Sequence, residues 1–175
     1  HLSKAGLPHT SRSARCAMPD PIELIYWDAC VFLDYIEGSP AWMPILDAIL
    51  EDVSASGNLI IVTSTLSLVE VAYTSSERNG QLDPTVLEAI NAIWSDSTEI
   101  QIVDVDTVIA RTARELLRRA VSERRHLKPA DAVHLATGIV MQVADFHTTD
   151  DRLQQWKDLR FPVRDPWTRR PRLGM

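Results

Sequence analysis

The stretch IYWDACVFLDYI, residues 25–36, places an acidic residue between an apolar strand and an apolar helix. Residues 22–27 are rich in β-branched and aromatic side chains, which predicts a short buried strand. After Asp28, the apolar residues of segment 29–37 recur at helical spacing, and the pattern ends at Gly38 and Pro40. Desolvating a carboxylate between two apolar segments is unfavourable unless a partner pairs with it, so Asp28 indicates a cation site.

The rest of the chain repeats this alternation of strand and helix. Further strands are predicted at residues 59–62, 99–103, 144–147 and 161–163. Helices are predicted at residues 42–54, after the capping residues 63–65, at 83–94, at 106–124, from 129 onward and, briefly, at 150–156. Because strands alternating with helices require crossover connections, we expect a three-layer α/β/α fold whose mainly parallel central sheet is flanked by helices.

Three more acidic residues lie within apolar segments. They are Glu70 in TSTLSLVEVAY, Asp131 in LKPADAVHLATG and Asp150 in ADFHTTDDRL. In open parallel sheets, ligands bind at the carboxyl ends of the strands, where Asp28 and Asp150 are expected. If the four acids meet there, their oxygens suit Mg²⁺ or Mn²⁺. Without metal they repel one another, so at least one pKa is expected to rise.

Composition restricts the class of protein. The chain has 175 residues, of which 45% are hydrophobic and 24% charged, as in a single globular domain. A net charge of −6 argues against an evenly basic surface for nucleic acid, although residues 111–128 and 164–172 are locally rich in arginine. Two cysteines cannot form a disulfide framework, which favours the cytoplasm. The longest apolar stretch, residues 132–144, is too short to cross a membrane.

The ends of the chain differ from its middle. Residues 1–17 lack hydrophobic periodicity, and we expect them to be an extension that is either added during cloning or disordered, with Met18 as the native start. An N-terminal arm that docks on a partner is the alternative. Residues 18–163 are expected to form the folded domain, and 164–175 a basic, flexible C-terminal tail.

These motifs together resemble PIN-domain proteins, and in particular VapC-like ribonuclease toxins of type II toxin–antitoxin systems. The matching stretches run from residue 22 to 163 and are IYWDACVFLDYI, TSTLSLVEV, LKPADAVHLATG and HTTDDRL, the last with the Thr-x-Asp-x-x-Leu pattern that selects Asp150 over Asp151. The resemblance implies a metal-dependent endoribonuclease that hydrolyses RNA with Mg²⁺ or Mn²⁺. It also implies a homodimer and a small antitoxin that covers the active site.

The resemblance assigns roles to the four acids. Asp28, Glu70, Asp131 and Asp150 are the expected catalytic residues. Asp28, Asp131 and Asp150 are the expected metal ligands, Asp150 directly or through water, while Glu70 ligates or orients the attacking water.

The chain departs from the family at two positions. Cys30 replaces the usual small hydroxyl residue, and we expect it to alter metal affinity or, preferably, to pack as a small hydrophobe. The bulky Trp27 either narrows the pocket or fills the core.

Other polar residues near these motifs have structural explanations that we prefer. Asp106 is expected to cap a helix, Asp34 to be exposed, His134 to be half-buried and hydrogen-bonded, and Thr148 to make a structural hydroxyl bond. His147 is read as a strand residue rather than a catalyst.

Two other functions stay open. One is a non-catalytic scaffold module of the same fold, whose acidic pocket binds a basic partner peptide. The other is a phosphohydrolase with Asp28 as nucleophile, which Cys30 disfavours because such enzymes generally need a second aspartate there.

Overall fold

A computed structural model describes residues 21–95 and 99–168. Five strands form one sheet in the order β3-β2-β1-β4-β5. The strands are β1 (Glu23–Trp27), β2 (Leu59–Ser64), β3 (Ile100–Val103), β4 (Asp145–His147) and β5 (Val163–Arg164). The α-helices are α1 (Ala29–Ile36), α2 (Met43–Ser56), α3 (Thr65–Glu70), α4 (Pro84–Trp94), α5 (Thr107–Ser122) and α6 (Pro129–Met141). The predicted three-layer α/β/α fold is confirmed.

All neighbouring strands of the sheet are parallel. The chain builds outward from β1 through β2 to β3, and then crosses to the other side of β1 to form β4 and β5. The strand order therefore reverses between β1 and β4, where Trp27 pairs with His147. Such a reversal opens a crevice at the carboxyl ends of the two strands, which is the usual ligand position in open α/β sheets.

Alternating side chains of the strands supply two apolar cores. Tyr26, Val62 and Phe146 face one side of the sheet and pack with residues of α5 and α6. On the other side, Ile25 and Trp27 pack with residues of α1, α2 and α4. The Trp27 ring lies 5.4 Å from that of Phe32 and is buried, so this bulky residue fills the core and does not narrow the site.

Local sequence signals explain most of the helix boundaries. Asp83 and Asp106 accept backbone hydrogen bonds at the starts of α4 and α5, as predicted for N-caps. At the end of α2, Gly57 adopts φ 65°, a left-handed conformation that favours glycine.

The structure differs from the sequence-based elements near the end of the domain. The helix predicted at residues 150–156 is one 3₁₀ turn, Leu153–Gln155, because Asp150 is held in the preceding loop by bonds to Arg152. The last strand ends at Arg164, inside the segment predicted as a tail. The predicted N-terminal extension and residues 169–175 lie outside the described residues. Among the helices that the structure describes, none combines the length and apolarity that a membrane span requires.

Candidate metal centre

Asp28 occupies the crevice between β1 and β4. Its backbone is extended, with φ −73° and ψ 158°, and it forms the N-cap of α1. One carboxylate oxygen accepts from the backbone N–H of Ala29 at 2.8 Å, and the other accepts from the Thr148 hydroxyl at 2.8 Å. The residue is only 8% exposed. Its carboxylate is therefore fixed by the first residue of α1 and by the residue that follows β4.

Glu70 and His134 join Asp28 in one cluster. Glu70 is the last residue of α3, and His134 lies in α6. His134 Nε2 is 2.5 Å from Glu70 Oε2 and 3.5 Å from Asp28 Oδ1. One ligand atom from each of the three residues lies within 4.8 Å of the others, a spacing that a shared cation can bridge. The expected half-buried, hydrogen-bonded histidine is thus fully buried, and its partner is a site carboxylate.

The ionisation of His134 reflects this setting. Burial disfavours the charged imidazole, but the hydrogen bond to Glu70 and the charges of Asp28, Glu70 and Asp131 outweigh burial, so the pKa of His134 is raised.

Asp131 lies beside this cluster, in the first turn of α6. Burial raises the pKa of its carboxyl, and the negative charges of Asp28 and Asp150 raise it further, against the opposing charge of Lys128. The direction agrees with the rise predicted for carboxylates that meet without a metal, and burial is its largest cause. Asp131 is therefore close enough to Asp28 and Asp150 to interact electrostatically.

Asp150 lies in the loop after β4, and its carboxylate is paired within the chain. Arg152 donates from Nε to one oxygen at 3.1 Å and from Nη2 to the other at 2.9 Å. The hydrogen bond from Arg152 is the main reason that the pKa of Asp150 is lowered. The structure thus brings Asp28 and Glu70 into direct contact with His134, while Asp131 and Asp150 flank them.

A shell of polar groups supports Asp28 from the β4 side. The Thr148 hydroxyl donates to Asp28, and its oxygen accepts from the Asp150 N–H at 3.2 Å, as predicted for a structural hydroxyl. The Cys30 thiol lies 3.3 Å from Asp28 Oδ2, and burial raises its pKa to about 12. Cys30 is therefore a neutral, weak donor at the site rather than the purely apolar filler we preferred. The prediction that Asp34 is exposed was wrong, since it is half-buried and accepts from Thr149 at 2.9 Å.

His147 lies in β4, where its backbone carbonyl accepts from the Asp28 N–H at 3.1 Å, but its side chain lies on the α2 side of the sheet. It lines a cavity of about 200 Å³ between the sheet and α2, together with Asp145 and Trp167. This position agrees with its reading as a strand residue.

A family model decides the relationship of the chain. The model of the PIN domain matches residues 25–159, from the first strand of the sheet to the segment before the last strand. This chain belongs to the PIN-domain family. The family includes nucleases that use divalent metals.

Solved structures agree with this PIN fold. VapBC2 from Rickettsia felis, bound to a promoter DNA fragment, aligns with a TM-score of 0.61 and 12% identity over 83% of this chain and 99% of that one. VapC20 of Mycobacterium tuberculosis, a Sarcin-Ricin loop cleaving toxin, aligns with a TM-score of 0.55 and 19% identity over 75% of this chain and 93% of that one. DNA-bound VapBC from Salmonella typhimurium aligns with a TM-score of 0.56 and 13% identity over 82% of this chain and 98% of that one. A search of curated protein sequences found no significant match.

The basic stretch of this PIN domain, residues 111–128, contains two groups of arginines. Arg119 and Arg125 flank the Trp156 ring and form ion pairs with Glu123 and Asp158, so they hold α5 against the chain after β4. Three other arginines of α5 are exposed on its outer face: Arg111, Arg114 and Arg118. The predicted basic patch is therefore partly structural.

Sequence reasoning missed two participants of the PIN site. Tyr26 was read only as a strand residue, yet its hydroxyl lies 2.7 Å from His134 Nδ1. Lys128 was counted only within the basic stretch, yet its charge acts on both Asp131 and Asp150. For His134, the sequence did offer a signal. It lies three residues after Asp131, so both side chains lie on one face of the helix, next to the site.

Proposed function

We propose that this PIN domain is a cytoplasmic, Mg²⁺- or Mn²⁺-dependent endoribonuclease that acts as the toxin of a toxin–antitoxin pair. The observation that carries the proposal is the cluster of Asp28, Glu70 and His134, flanked by Asp131 and Asp150, at the switch point of the sheet. A scaffold module with no metal chemistry has no need for several carboxylates that repel one another.

The donor set fits a divalent cation. Asp28, Asp131 and Asp150 would hold it, since carboxylate oxygens are the hard ligands that Mg²⁺ and Mn²⁺ prefer. Asp28 and Asp150 both act on Asp131 as like charges, and a bound cation would offset that repulsion. When bound, such an ion stabilises charge on the scissile phosphate and lowers the pKa of a bound water.

The residues of the chain prepare this site in three ways. Thr148 and the Ala29 N–H hold Asp28 in one orientation. Glu70 is the acid best placed to orient an attacking water, because its carboxylate is partly exposed and lies beside Asp28. Lys128 provides a positive charge beside Asp131 and Asp150, where a phosphate would approach.

RNA is the substrate that we propose. The exposed arginines of α5 offer positive charge for phosphates on a molecule whose net charge is −6. The structural neighbour from Mycobacterium tuberculosis cleaves the Sarcin-Ricin loop, which supports RNA cleavage by this fold.

We further propose an antitoxin partner. Two of the structural neighbours are VapBC complexes with DNA. An antitoxin segment would inhibit by placing an arginine among the carboxylates, and the Arg152–Asp150 pair shows that a guanidinium suits this carboxylate.

The test is cleavage of mixed cellular RNA by the purified protein with Mn²⁺ or Mg²⁺, with and without EDTA. We expect Asp28→Asn and Asp131→Asn to reduce the rate at least about a hundredfold, because each removes charge from the metal site. Asp151→Asn is the matched control, since Asp151 is exposed beside Asp150, and we expect it to retain activity.

Cleavage that survives both site substitutions, or that ignores chelation, would contradict the metal-nuclease proposal. Calorimetric titration with Mn²⁺ distinguishes the metal-dependent nuclease from a scaffold module. A scaffold module would show no metal binding that depends on Asp28 and Asp131.

A further inference from the structure

Glu70 occupies an unfavourable position for an acid. It is the final residue of α3, a helix of six residues, and the negative end of the helix dipole lies there. The chain leaves the helix at Val71, which is buried, while the Glu70 side chain is 32% exposed. Some other group must hold this carboxylate toward Asp28. The contact that does so is the 2.5 Å hydrogen bond with His134 Nε2.

The direction of that hydrogen bond follows from its neighbours. The backbone N–H of Ser64 donates to the Tyr26 hydroxyl oxygen at 3.1 Å. The Tyr26 proton is then available to His134 Nδ1, 2.7 Å away. Because a carboxylate oxygen accepts, Nε2 carries the proton and donates to Glu70.

The groups in this chain of hydrogen bonds are rigidly packed. Tyr26 and Ser64 are fully buried and His134 is 1% exposed. The Tyr26 ring stacks on Phe146, with centroids 4.6 Å apart and an interplanar angle of 10°. Burial raises the pKa of Tyr26, which keeps its hydroxyl protonated. Three elements, β1, the end of β2 and α6, therefore fix the position of one imidazole N–H.

We propose that Tyr26 and His134 form a positioning relay that holds Glu70 in the acidic site, and that His134 is not itself a metal ligand. An Nε2 that carries a proton has no lone pair for a cation, although it lies within the cluster of possible ligands. One oxygen of Glu70 accepts from His134, which leaves the other for a metal or for water. This inference rests on the proposed function.

The first test uses the wild-type protein saturated with Mg²⁺. Two-bond proton–nitrogen NMR correlations of the His134 ring are expected to show that Nε2 is protonated. Electron spin echo spectra of the Mn²⁺-loaded protein are expected to lack ¹⁴N coupling from this ring. A deprotonated Nε2, or a ¹⁴N coupling that disappears in His134→Gln, overturns the relay and makes His134 a ligand.

The second test uses a matched pair of substitutions. Gln can present an amide N–H near the position of Nε2, whereas Met has similar length and no donor. We expect His134→Met to weaken Mn²⁺ binding about tenfold or more, because it removes the hydrogen bond that orients Glu70. The substitution should also lower kcat more than it changes KM and shift the Glu70 carboxyl ¹³C resonance. His134→Gln should restore most of each change. Tyr26→Phe should mix the His134 tautomers and produce an intermediate loss.

The outcomes separate the relay from the proposed function. If the protein cleaves no RNA but the His134 tautomer and the Glu70 resonance behave as stated, the function fails and the relay stands. If metal-dependent cleavage is present but His134→Met leaves Mn²⁺ affinity, kcat and the Glu70 resonance unchanged, the relay fails and the function stands.

Discussion

At the scale of single residues, the carboxylate of Asp150 is the one whose surroundings compete most directly with metal binding. Arg152 donates to both of its oxygens, and the two residues are only two positions apart, so the pair forms within one loop. Arg152 is largely exposed, with 59% of its side chain accessible. Exposed ion pairs contribute little, at most about 1 kcal/mol. A metal ion can therefore displace this arginine at small cost.

Arg152→Ala is expected to tighten Mn²⁺ binding about two- to fivefold, since the pair that competes for Asp150 is worth no more than about 1 kcal/mol. Isothermal titration calorimetry measures the change. Arg152→Lys keeps the charge without the paired hydrogen bonds, and its affinity should lie between those of the wild type and the alanine variant. Unchanged or weaker binding in Arg152→Ala would argue that Asp150 takes no part in holding the metal.

At the scale of secondary-structure elements, β4 and β5 are joined by an ion pair on the α2 side of the sheet. Arg164 in β5 donates to both oxygens of Asp145 in β4, and its guanidinium lies 4.3 Å from the Trp167 ring. Burial favours the neutral form of Asp145, but His147 and Arg164 outweigh burial and lower its pKa. The edge strand therefore depends on an ionised carboxylate.

The unfolding free energy should show this dependence on pH. Because the folded-state pKa of Asp145 is below its ordinary value of about 3.9, the ion pair contributes fully at neutral pH and is lost as the pH falls below about 4. We expect Asp145→Asn to be about 1.5–3 kcal/mol less stable than the wild type at pH 7. Urea unfolding at pH 7 and at pH 3 should show this difference shrinking on acidification. A difference that is constant with pH would exclude the ionised carboxylate as its source.

At the scale of the whole molecule, three exposed valines lie on α3 and around the start of α5, and we call them the apolar patch: Val69, Val105 and Val108. These residues are 71%, 38% and 57% exposed. The Val105 N–H donates to the Thr65 hydroxyl at 3.3 Å, which places the start of α5 beside the start of α3. We propose that a second copy of the chain covers this patch. An uncharged contact suits two molecules that each carry a charge of −6, and a self-complementary patch generates a twofold dimer.

Light scattering coupled to size exclusion should give the wild type a mass about twice that of the 19.7 kDa chain. Val69→Asp is expected to weaken this dimer at least about tenfold, because it places a charge in an apolar contact. Val121→Asp is the matched control, since Val121 is 79% exposed near the far end of α5 and should leave the dimer intact. A dimer that Val69→Asp leaves unaffected would place the contact on another surface.

The sequence by itself determined the order of the elements, the parallel sheet and the acids at its edge. These features depend on local patterns, such as the apolar run before Asp28, the proline that starts α6 and the caps at Asp83 and Asp106, which act within a few residues of the chain. The bond between Tyr26 and His134 joins residues 108 positions apart, and that between His134 and Glu70 spans 64 positions. Only the packing of β1, α3 and α6 decides such contacts, because no local pattern encodes the distance between two side chains on different elements. The acids could therefore be predicted from the sequence, whereas the groups that hold them were identified only from the tertiary structure.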